Sequence, residues 1–493
     1  MNLAELVADA ARRHPGKAAL IAHDAVTTWG GLDAGVSRVA GALIARGLRP
    51  GDRVGLLLGN TPEFAIAYFA ALRAGLVAVP INTAYTAPEI DHVLTDSAAR
   101  AVLGSRALVT GVSQRQGELP GLDFVLTVEE LDGGEASGAA VGGDEDLAVL
   151  IYTSGTSGRP KGAMLSHRAL LANLDQCAQI QPPVCTDDDV VLLVLPLFHI
   201  YGLNAGLGLV ARFGATGVLV ERFDPVQTLD EVRRNQVTNI VGAPPMYVAW
   251  SMLPDLGGAF ATVRLMVSGA APLAPAVLAR ILEATGQFVF EGYGLTETAP
   301  VLTTTLVSEV AKPGSIGRPV PGVELRLVDE SGAEVDEEDP GEIVVRGPNL
   351  FSGYWPDGQD GPDDDGWFAT GDVAYADDDG DLFLVDRRKE LILVSGFNVY
   401  PREVEDVLVR HPDIVEVAVI GIAHPYTGES VKALVVLREG ARLSTDEVID
   451  HCAVALARFK CPTAVQFVTE LPHSATGKVS KGRLREHEAS GLR

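Results

Sequence analysis

Cysteine, aromatic residues and positive charge are all scarce in this chain. Only four cysteines occur in 493 residues, at Cys177, Cys185, Cys452 and Cys461. None forms a Cys-x-x-Cys pair, and no His/Cys cluster has zinc-site spacing, which excludes a disulfide scaffold and a zinc module. Reduced thiols in a cytoplasmic protein are the expectation. Lys and Arg number 39 against 65 Asp and Glu, a formal net charge of −26. No basic block is present, so no nucleic-acid partner is expected. An anionic ligand must instead be gripped by a few locally placed cations. The first residues read as an acidic, amphipathic helix start and lack the pattern of a signal peptide. The longest apolar region, 201–220, holds Asn204, Arg212 and five glycines. Its length is about that of a membrane span, but a buried helix plus strand is expected there and no transmembrane segment.

What is present is a globular composition, 47% hydrophobic and 6% aromatic, which fits an enzyme. The length exceeds one ordinary core, so several domains are expected. Over 1–143, spacing predicts helices at 32–46 and 62–74, the second capped by Thr61 and stopped by Gly75, and strands at 52–58 and 77–80. Such βα alternation implies a mostly parallel sheet covered by helices. Residues 104–143 read as a looser surface connection. Buried strands are predicted at 147–152, 190–197, 238–243, 264–269 and 287–290, several ending in Gly, Ser, His or Thr. Ligands sit beyond the carboxyl ends of strands in open α/β sheets, so these ends point to one crevice. From 313 to 385 short β pieces joined by acidic turns suggest a small β-subdomain. From about 387 a last unit begins. Its helix opens at Pro401, strands fall at 414–422, 432–437 and 465–469, and Ser444 with Glu447 forms a capping box.

The chain is organised around Tyr152-Thr-Ser-Gly-Thr-Ser-Gly-Arg-Pro-Lys-Gly162. A predicted strand precedes it, and Ser166 is a cap for a helix beginning near His167. A strand, a Gly/Ser/Thr loop and a helix make a phosphate site, with converging N–H groups, hydroxyls and the charge of Lys161. It is not a Walker loop, because Pro160 precedes the lysine and Gly162 follows it. In Glu291-Gly-Tyr-Gly-Leu-Thr-Glu-Thr298, a tyrosine between glycines can lie flat against a base. Thr296 can donate to phosphate, and Glu297 suits Mg2+, which favours hard oxygen ligands. Ala369-Thr-Gly-Asp372 offers a carboxylate, in a tight turn, to a ribose diol. Asp386-Arg-Arg-Lys389 falls at the domain boundary, where an arginine can bridge phosphate and ribose. Ser474-Ala-Thr-Gly-Lys478 places a lone lysine near the C-terminus. Taken singly, each has a plain alternative: a tight loop, a common turn, a solvated linker, a surface lysine.

Taken together, in this order and separation, the motifs resemble the adenylate-forming superfamily, in its acyl-CoA synthetase (fatty-acid–CoA ligase) branch. The resemblance covers nearly the whole chain. It includes Leu72-Arg-Ala-Gly-Leu-Val-Ala-Val-Pro-Ile-Asn82, Ser268-Gly-Ala-Ala-Pro272 and Val394-Ser-Gly-Phe-Asn-Val-Tyr-Pro-Arg-Glu-Val404. It implies an α/β fold with a large N-terminal domain of mixed sheets covered by helices plus a small β-subdomain, over 1–386. A hinge at 387–389 and a separate, smaller, rotating α+β C-terminal domain over 390–493 complete it. The implied reaction joins a carboxylic acid to ATP with release of pyrophosphate. The CoA thiol then attacks the acyl-adenylate. By this resemblance Thr153, Ser154, Gly155, Thr156, Ser157, Gly158 and Lys161 would hold the β- and γ-phosphates. Gly269, Ala270, Ala271 and Pro272, with Gly292 and Tyr293, would line the adenine site, and Gly294 is counted with them as nucleotide-binding. Thr296 would touch phosphate, Glu297 would bind Mg2+, Asp372 would hold the ribose, and Arg387 would contact ribose or phosphate. Lys478 would bridge the attacking carboxylate and the α-phosphate. Lys389 would be the hinge, and Gly396 would face the thiol after rotation. His199 aligns near the acyl and thiol path, as a gate, a group near the carboxylate, or a structural histidine.

The first functional reading is an acid–CoA ligase for a medium- or long-chain fatty acid. Residues 246–252 and the Gly-rich 201–208 segment would bound an apolar pocket with no obvious charged anchor for a second carboxylate, Arg212 and Arg222 being the candidates left open. An aryl acid is second. A stand-alone amino-acid adenylation domain would usually show Phe-Asp where this chain has Phe198-His199. An amide synthetase, using an amine instead of CoA, shares the adenylation step and stays open, as does a homodimer.

Overall fold

The computed structural model describes residues 1–131, 138, 140–153, 160–308, 311–329, 331–336, 339–387, 390–394, 397–424, 428–473 and 479–490. It divides into two compact units, one of residues 1–324 and 346–368, the other of 325–345 and 369–493. The strands predicted as a small β-subdomain thus fall largely in the second unit, with the C-terminal residues.

The first unit holds two large sheets. One has six strands in the order Phe124–Leu126, Ala99–Gly104, Arg53–Leu57, Val77–Pro80, Leu147–Thr153 and Lys161–Ser166. All pairings are parallel except the last. The other has nine strands. Its central members, Val289–Gly294, Leu265–Ser268, Asn239–Gly242, Val190–Leu193, Thr216–Leu219 and Ala18–Ala22, are also parallel. Strands such as Val77–Pro80 and Thr216–Leu219 are buried along their whole length. Parallel strands covered on both faces read as continuous apolar runs, and that made them legible. Helices Trp29–Ala45 and Pro62–Arg73 join strands of both sheets in one core containing Trp29, Phe64, Tyr68 and Phe69. Arg73 is buried in this layer and meets Asp33 at 2.6 Å.

Three expectations need correction. The loop at 152–162 leads into a strand, not a helix. Lys161–Ser166 folds back on Leu147–Thr153, with Thr153 opposite Lys161 and Tyr152 opposite Gly162. Helix His167–Ala178 follows, and Ser166 Oγ accepts the Ala169 N–H at 3.2 Å, so the predicted cap is in place. Residues 104–143 are less loose than expected, with helix Arg106–Arg115 and strand Phe124–Leu126. Only Val109 and Val112 of that helix are buried, too few to give a clear periodic signal. The strand predicted at 190–197 ends at Leu193. Beyond it the side chain of Asn60 replaces a neighbouring strand. Asn60 Nδ2 donates to the carbonyls of Leu193 and Leu195 at 3.2 and 2.9 Å, and Oδ1 accepts the Leu197 N–H at 2.9 Å. The apolar region 201–220 is the buried helix plus strand expected: a π-helix Tyr201–Gly208, a short helix Leu209–Phe213 and strand Thr216–Leu219. Among the described residues no helix is long and apolar enough to cross a membrane.

The second unit contains a four-stranded sheet and a five-stranded sheet. The first includes Phe368–Ala376 and Leu382–Arg387, paired antiparallel. The second is built on the long hairpin Ile414–His424 and Gly428–Leu437. Helices Pro401–Leu408 and Thr445–Ala453 pack Val404, Leu408, Val448 and Cys452 against Val419, Val431, Ala433 and Val435. The capping box is present, with Ser444 N–H donating to Glu447 Oε2 at 2.8 Å. All four cysteines are free and buried.

Candidate active site

The two strands on either side of the expected phosphate loop form a hairpin. Thr153 ends one strand and Lys161 begins the next, directly opposite each other. Ser154, Gly155, Thr156, Ser157 and Gly158 lie outside the described residues. Segment 351–355 runs beside the second strand. Met164 N–H donates to the Gly353 carbonyl at 3.0 Å, Ser352 N–H to that of Met164 at 2.9 Å, and Trp355 N–H to that of Gly162 at 2.8 Å. This places Tyr354 under Lys161, whose Nζ is 5.2 Å from the ring centre and 3.0 Å from Asp360 Oδ2.

Thr296 and Glu297 sit on a 3-10 turn, Thr296–Thr298, and both are buried. Buried amides pin its backbone. Asn349 Nδ2 donates to the Thr298 carbonyl at 2.8 Å, Asn204 Nδ2 to that of Ala299 at 2.7 Å, and Asn173 Nδ2 to that of Val301 at 2.7 Å. Phe351 N–H donates to the Glu297 carbonyl at 3.0 Å. The carboxylate itself is held by Tyr354, whose Oη donates to Glu297 Oε1 at 2.5 Å. Burial, then the charge of Glu297, raises the Tyr354 pKa above its ordinary value, so the phenol stays protonated and donating.

Gly269, Ala270, Ala271 and Pro272 follow the carboxyl end of Leu265–Ser268. Gly292, Tyr293 and Gly294 belong to the neighbouring strand Val289–Gly294 and do not form a loop after it, which corrects the expected strand end at 290. Pairing explains the extension, because Gly292 and Tyr293 bond to Thr304 and Thr303 of an antiparallel strand. A side chain at Gly294 would place Cβ 1.7 Å from the Pro300 carbonyl oxygen, so the hairpin closes only on glycine. Glu291 ties the two parts of this wall together. Its Oε1 accepts the Leu273 N–H at 3.0 Å, and its carbonyl accepts from Thr304 Oγ1 at 3.0 Å.

His199 lies at the carboxyl end of the Val190–Leu193 strand region, just before the π-helix. Its Nδ1 accepts the Tyr201 N–H at 3.3 Å, which assigns the proton to Nε2. Its outline is partly exposed, yet the surrounding protein desolvates the ring and lowers its pKa to about 4. His199 is therefore neutral near pH 7, able to donate one hydrogen bond and unable to act as a cation. The Tyr201 ring packs on Gly269, where a Cβ would come within 2.9 Å of it. Leu192, Leu193, Leu195, Gly202, Gly206 and Val241 close together beside the π-helix and leave no room for a water molecule between them. Met246, Tyr247 and Trp250 are packed into the core, and Met252 is exposed, so segment 246–252 is mainly core packing. Arg212 is paired with Asp175 at 2.9 Å on the surface. Arg222 lines a separate cleft of about 370 Å3 with Thr61, Thr83 and Ser105, and that cleft shares no residue with the sites above.

Two further candidates come from the second unit. Asp372 lies inside strand Phe368–Ala376, not in a tight turn, and is buried. The strand carries it because Thr370 Oγ1 donates to the Ile343 carbonyl at 2.9 Å and Gly371 N–H to Glu342 Oε1 at 3.2 Å. Arg387 is its direct partner across the pair of strands. The expected ribose contacts thus stand side by side on one sheet. The Arg387 side chain, Lys389, Gly396 and Lys478 lie outside the described residues.

Residues 7–355 match the AMP-binding enzyme family, and residues 403–478 match the AMP-binding enzyme C-terminal domain. A long-chain-fatty-acid–CoA ligase of Bacillus subtilis (strain 168) is 32% identical over 99% of this chain and 94% of its own length. A feruloyl-CoA synthase of Amycolatopsis sp. is 38% identical over 96% of each chain. The crystal structure of ATP-bound MatB from Rhodopseudomonas palustris superposes with a TM-score of 0.92 at 34% identity over the whole of both chains. The chain belongs to the AMP-binding enzyme family, within the adenylate-forming superfamily. Within that family it is an acyl-CoA synthetase, an ATP-dependent acid–CoA ligase.

The sequence reading missed Glu291, Tyr354 and the three pinning asparagines. Glu291 had a signal, an acid closing the apolar run Phe288-Val-Phe290. Asn204 had one too, an amide inside a Gly-rich apolar stretch. Tyr354 and Asn349 lay among acidic turns with nothing to mark them.

Proposed function

We propose that this ligase activates an apolar monocarboxylic acid, a medium- or long-chain fatty acid, and passes the acyl group to CoA. The observation that carries this reading is the similarity, 32% identity over 99% of the chain, to a long-chain-fatty-acid–CoA ligase, together with the uncharged character of the residues packed beside the π-helix, Leu192, Leu193, Leu195, Gly202, Gly206 and Val241. An aryl acid is the second reading. It is supported by two buried hydroxyls without partners among the described residues, Tyr201 Oη and Ser268 Oγ, which a hydroxylated ring could satisfy.

In the proposed reaction the acid oxygen bonds to the α-phosphorus of ATP, and the bond to the β-phosphate oxygen breaks. Lys161 and Thr153 would hold the departing pyrophosphate. The walls at 269–272 and 292–294 would take the adenine, Asp372 and Arg387 the ribose. Lys478 would sit between the carboxylate and the α-phosphate. In the second step the CoA sulfur bonds to the acyl carbon and AMP leaves. His199 Nε2–H would offer a neutral hydrogen bond near the acyl carbonyl. The donor set fits Mg2+: Glu297 is a buried carboxylate with Oε1 engaged, beside the Thr296 hydroxyl. No cluster of three acidic, His or Cys ligands occurs among the described residues. That suits an ion held by one carboxylate, water and substrate phosphates. When bound, Mg2+ supplies charge neutralisation on the phosphates. The cytoplasm, where ATP and CoA are both supplied, is the proposed location, and a homodimer the proposed assembly to test by sedimentation.

Pyrophosphate release and thioester formation measured over a panel of acids test the reading. The panel would run from C4 to C18 fatty acids, with benzoate, ferulate and amino acids. The expected result is CoA-dependent turnover that favours the medium- and long-chain fatty acids. Preference for ferulate would favour the aryl reading, and turnover with an amine but not CoA would overturn thioester formation.

A further inference from the structure

We propose that Tyr354 is a positioning residue of the ATP site, orienting Glu297 for a divalent cation through Oε1 and seating Lys161 on its ring face. It links the metal side of the triphosphate to the phosphate-loop side. The inference rests on the reading of Glu297 as a metal ligand.

The geometry is specific at each end. Tyr354 Oη donates to Glu297 Oε1 at 2.5 Å, across 57 residues of sequence. With Oε1 fixed, the carboxylate plane is set and Oε2 is left for a ligand. Partners that orient a metal-binding group in this way commonly change metal affinity by about 10–100-fold when removed. At the other end the Lys161 ammonium stands 5.2 Å from the ring centre, within reach of the ring's electron-rich face. The ring does not move freely. Its backbone N–H donates to the Gln359 carbonyl at 2.9 Å, and its carbonyl accepts the Gly358 N–H at 2.8 Å. Phe351 packs edge-on against it at 5.1 Å between centroids. Segment 351–355 is bonded both to the strand that begins at Lys161 and to the Glu297 carbonyl. Its place between the two functional groups is therefore set by the backbone on both sides. Asp360 holds Lys161 from the solvent side at 3.0 Å, an exposed ion pair easily exchanged for phosphate.

Two variants separate the two ends. Tyr354→Phe deletes only the hydroxyl. Tyr354→Leu deletes the ring as well. ATP binding to the full chain is measured by calorimetry at graded free Mg2+ and again in EDTA. Tyr354→Phe is expected to raise the Mg2+ concentration for half-maximal enhancement of ATP binding by about tenfold and to leave metal-free ATP affinity within twofold. Tyr354→Leu is expected to weaken metal-free ATP binding several-fold in addition. An unchanged Mg2+ dependence in Tyr354→Phe overturns the metal half, and metal-free binding equal in the two variants overturns the Lys161 half. Glu297→Gln is the reference. If it leaves the Mg2+ dependence unchanged, the Glu297 reading fails. If it shifts that dependence and Tyr354→Phe does not, only the present inference fails. The double variant guards against a folding defect. Effects that act through Glu297 are non-additive, whereas full additivity contradicts the proposal.

Discussion

At the scale of single residues, burial and hydrogen bonding decide what each titratable group can do. His167 is the clearest case. It is 2% exposed, and its Nδ1 accepts the Leu3 N–H at 3.0 Å. Burial lowers its pKa to about 4. An unfolded histidine titrates near 6.5. The folded state therefore resists protonation while the unfolded state accepts it. Stability from this group is fully present above about pH 6.5 and is lost as pH falls from there towards 4. The loss is on the order of 3 kcal/mol. His167→Gln should lower the melting temperature at pH 7.5, yet flatten its fall between pH 6.5 and 4.5. A fall as steep as in the unaltered protein would show that His167 is not the group responsible. At this scale the sequence offers a signal where residues fall in a fixed local pattern, as around Glu297 and Lys161. It was silent on Tyr354 and Asn349, because their partners lie 57 and 51 positions away. No local spacing encodes such a bond.

At the scale of elements, the strands were legible and their ends were not. Val77–Pro80 was read with the same limits it has in the structure, since an apolar run bounded by glycine and asparagine has few alternatives. The functional ends are set by pairing partners that come from elsewhere in the chain. Gly292 to Gly294 become strand because Val301–Thr304 folds back on them, and Lys161–Ser166 becomes strand because Leu147–Thr153 offers its edge. Asp372 was read as a turn residue for the same reason, its strand partner being Leu382–Arg387. The closeness of these pairings makes a direct prediction. Gly294→Ala would put a methyl group 1.7 Å from the Pro300 carbonyl oxygen, a backbone overlap that no rotamer relieves. Forced repacking of this kind costs about 1–3 kcal/mol or more. The variant should melt several degrees lower. ATP–pyrophosphate exchange should fall further than stability alone explains, because the hairpin carries the Thr296–Thr298 turn. A fully active, equally stable variant would mean that the hairpin opens freely and does not position the site.

At the scale of the whole molecule, the candidate residues are divided between two compact units. Lys161, His199, Tyr293, Thr296 and Glu297 belong to the first, Asp372, Arg387 and the C-terminal motif to the second. Two successive reactions with different nucleophiles are proposed for this chain. The carboxylate step brings two anions together, and a cation about 4 Å away at an effective dielectric of 20 is worth roughly 4 kcal/mol, about a thousandfold in rate. In the second step no two anions have to be joined, because a thiol attacks the acyl carbon and AMP departs, so a different set of groups around that carbon would serve it. A hinge at Lys389 that exchanges the Lys478 face for the Gly396 face would satisfy both demands. Hinges act through a few residues that absorb large changes in φ and ψ, and proline fixes φ near −65°. Lys389→Pro should therefore slow thioester formation at least tenfold more than it slows acid-dependent ATP–pyrophosphate exchange. Lys478→Ala should do the reverse, cutting exchange by about 10²–10⁴-fold while largely sparing thioester formation from supplied acyl-adenylate. The two half-reactions can be followed separately, by isotope exchange and by thioester absorbance. Opposite selectivity in the two variants is the signature of one chain serving two conformations. Equal loss of both half-reactions in each variant would rule out the exchange of faces and leave a single fixed site.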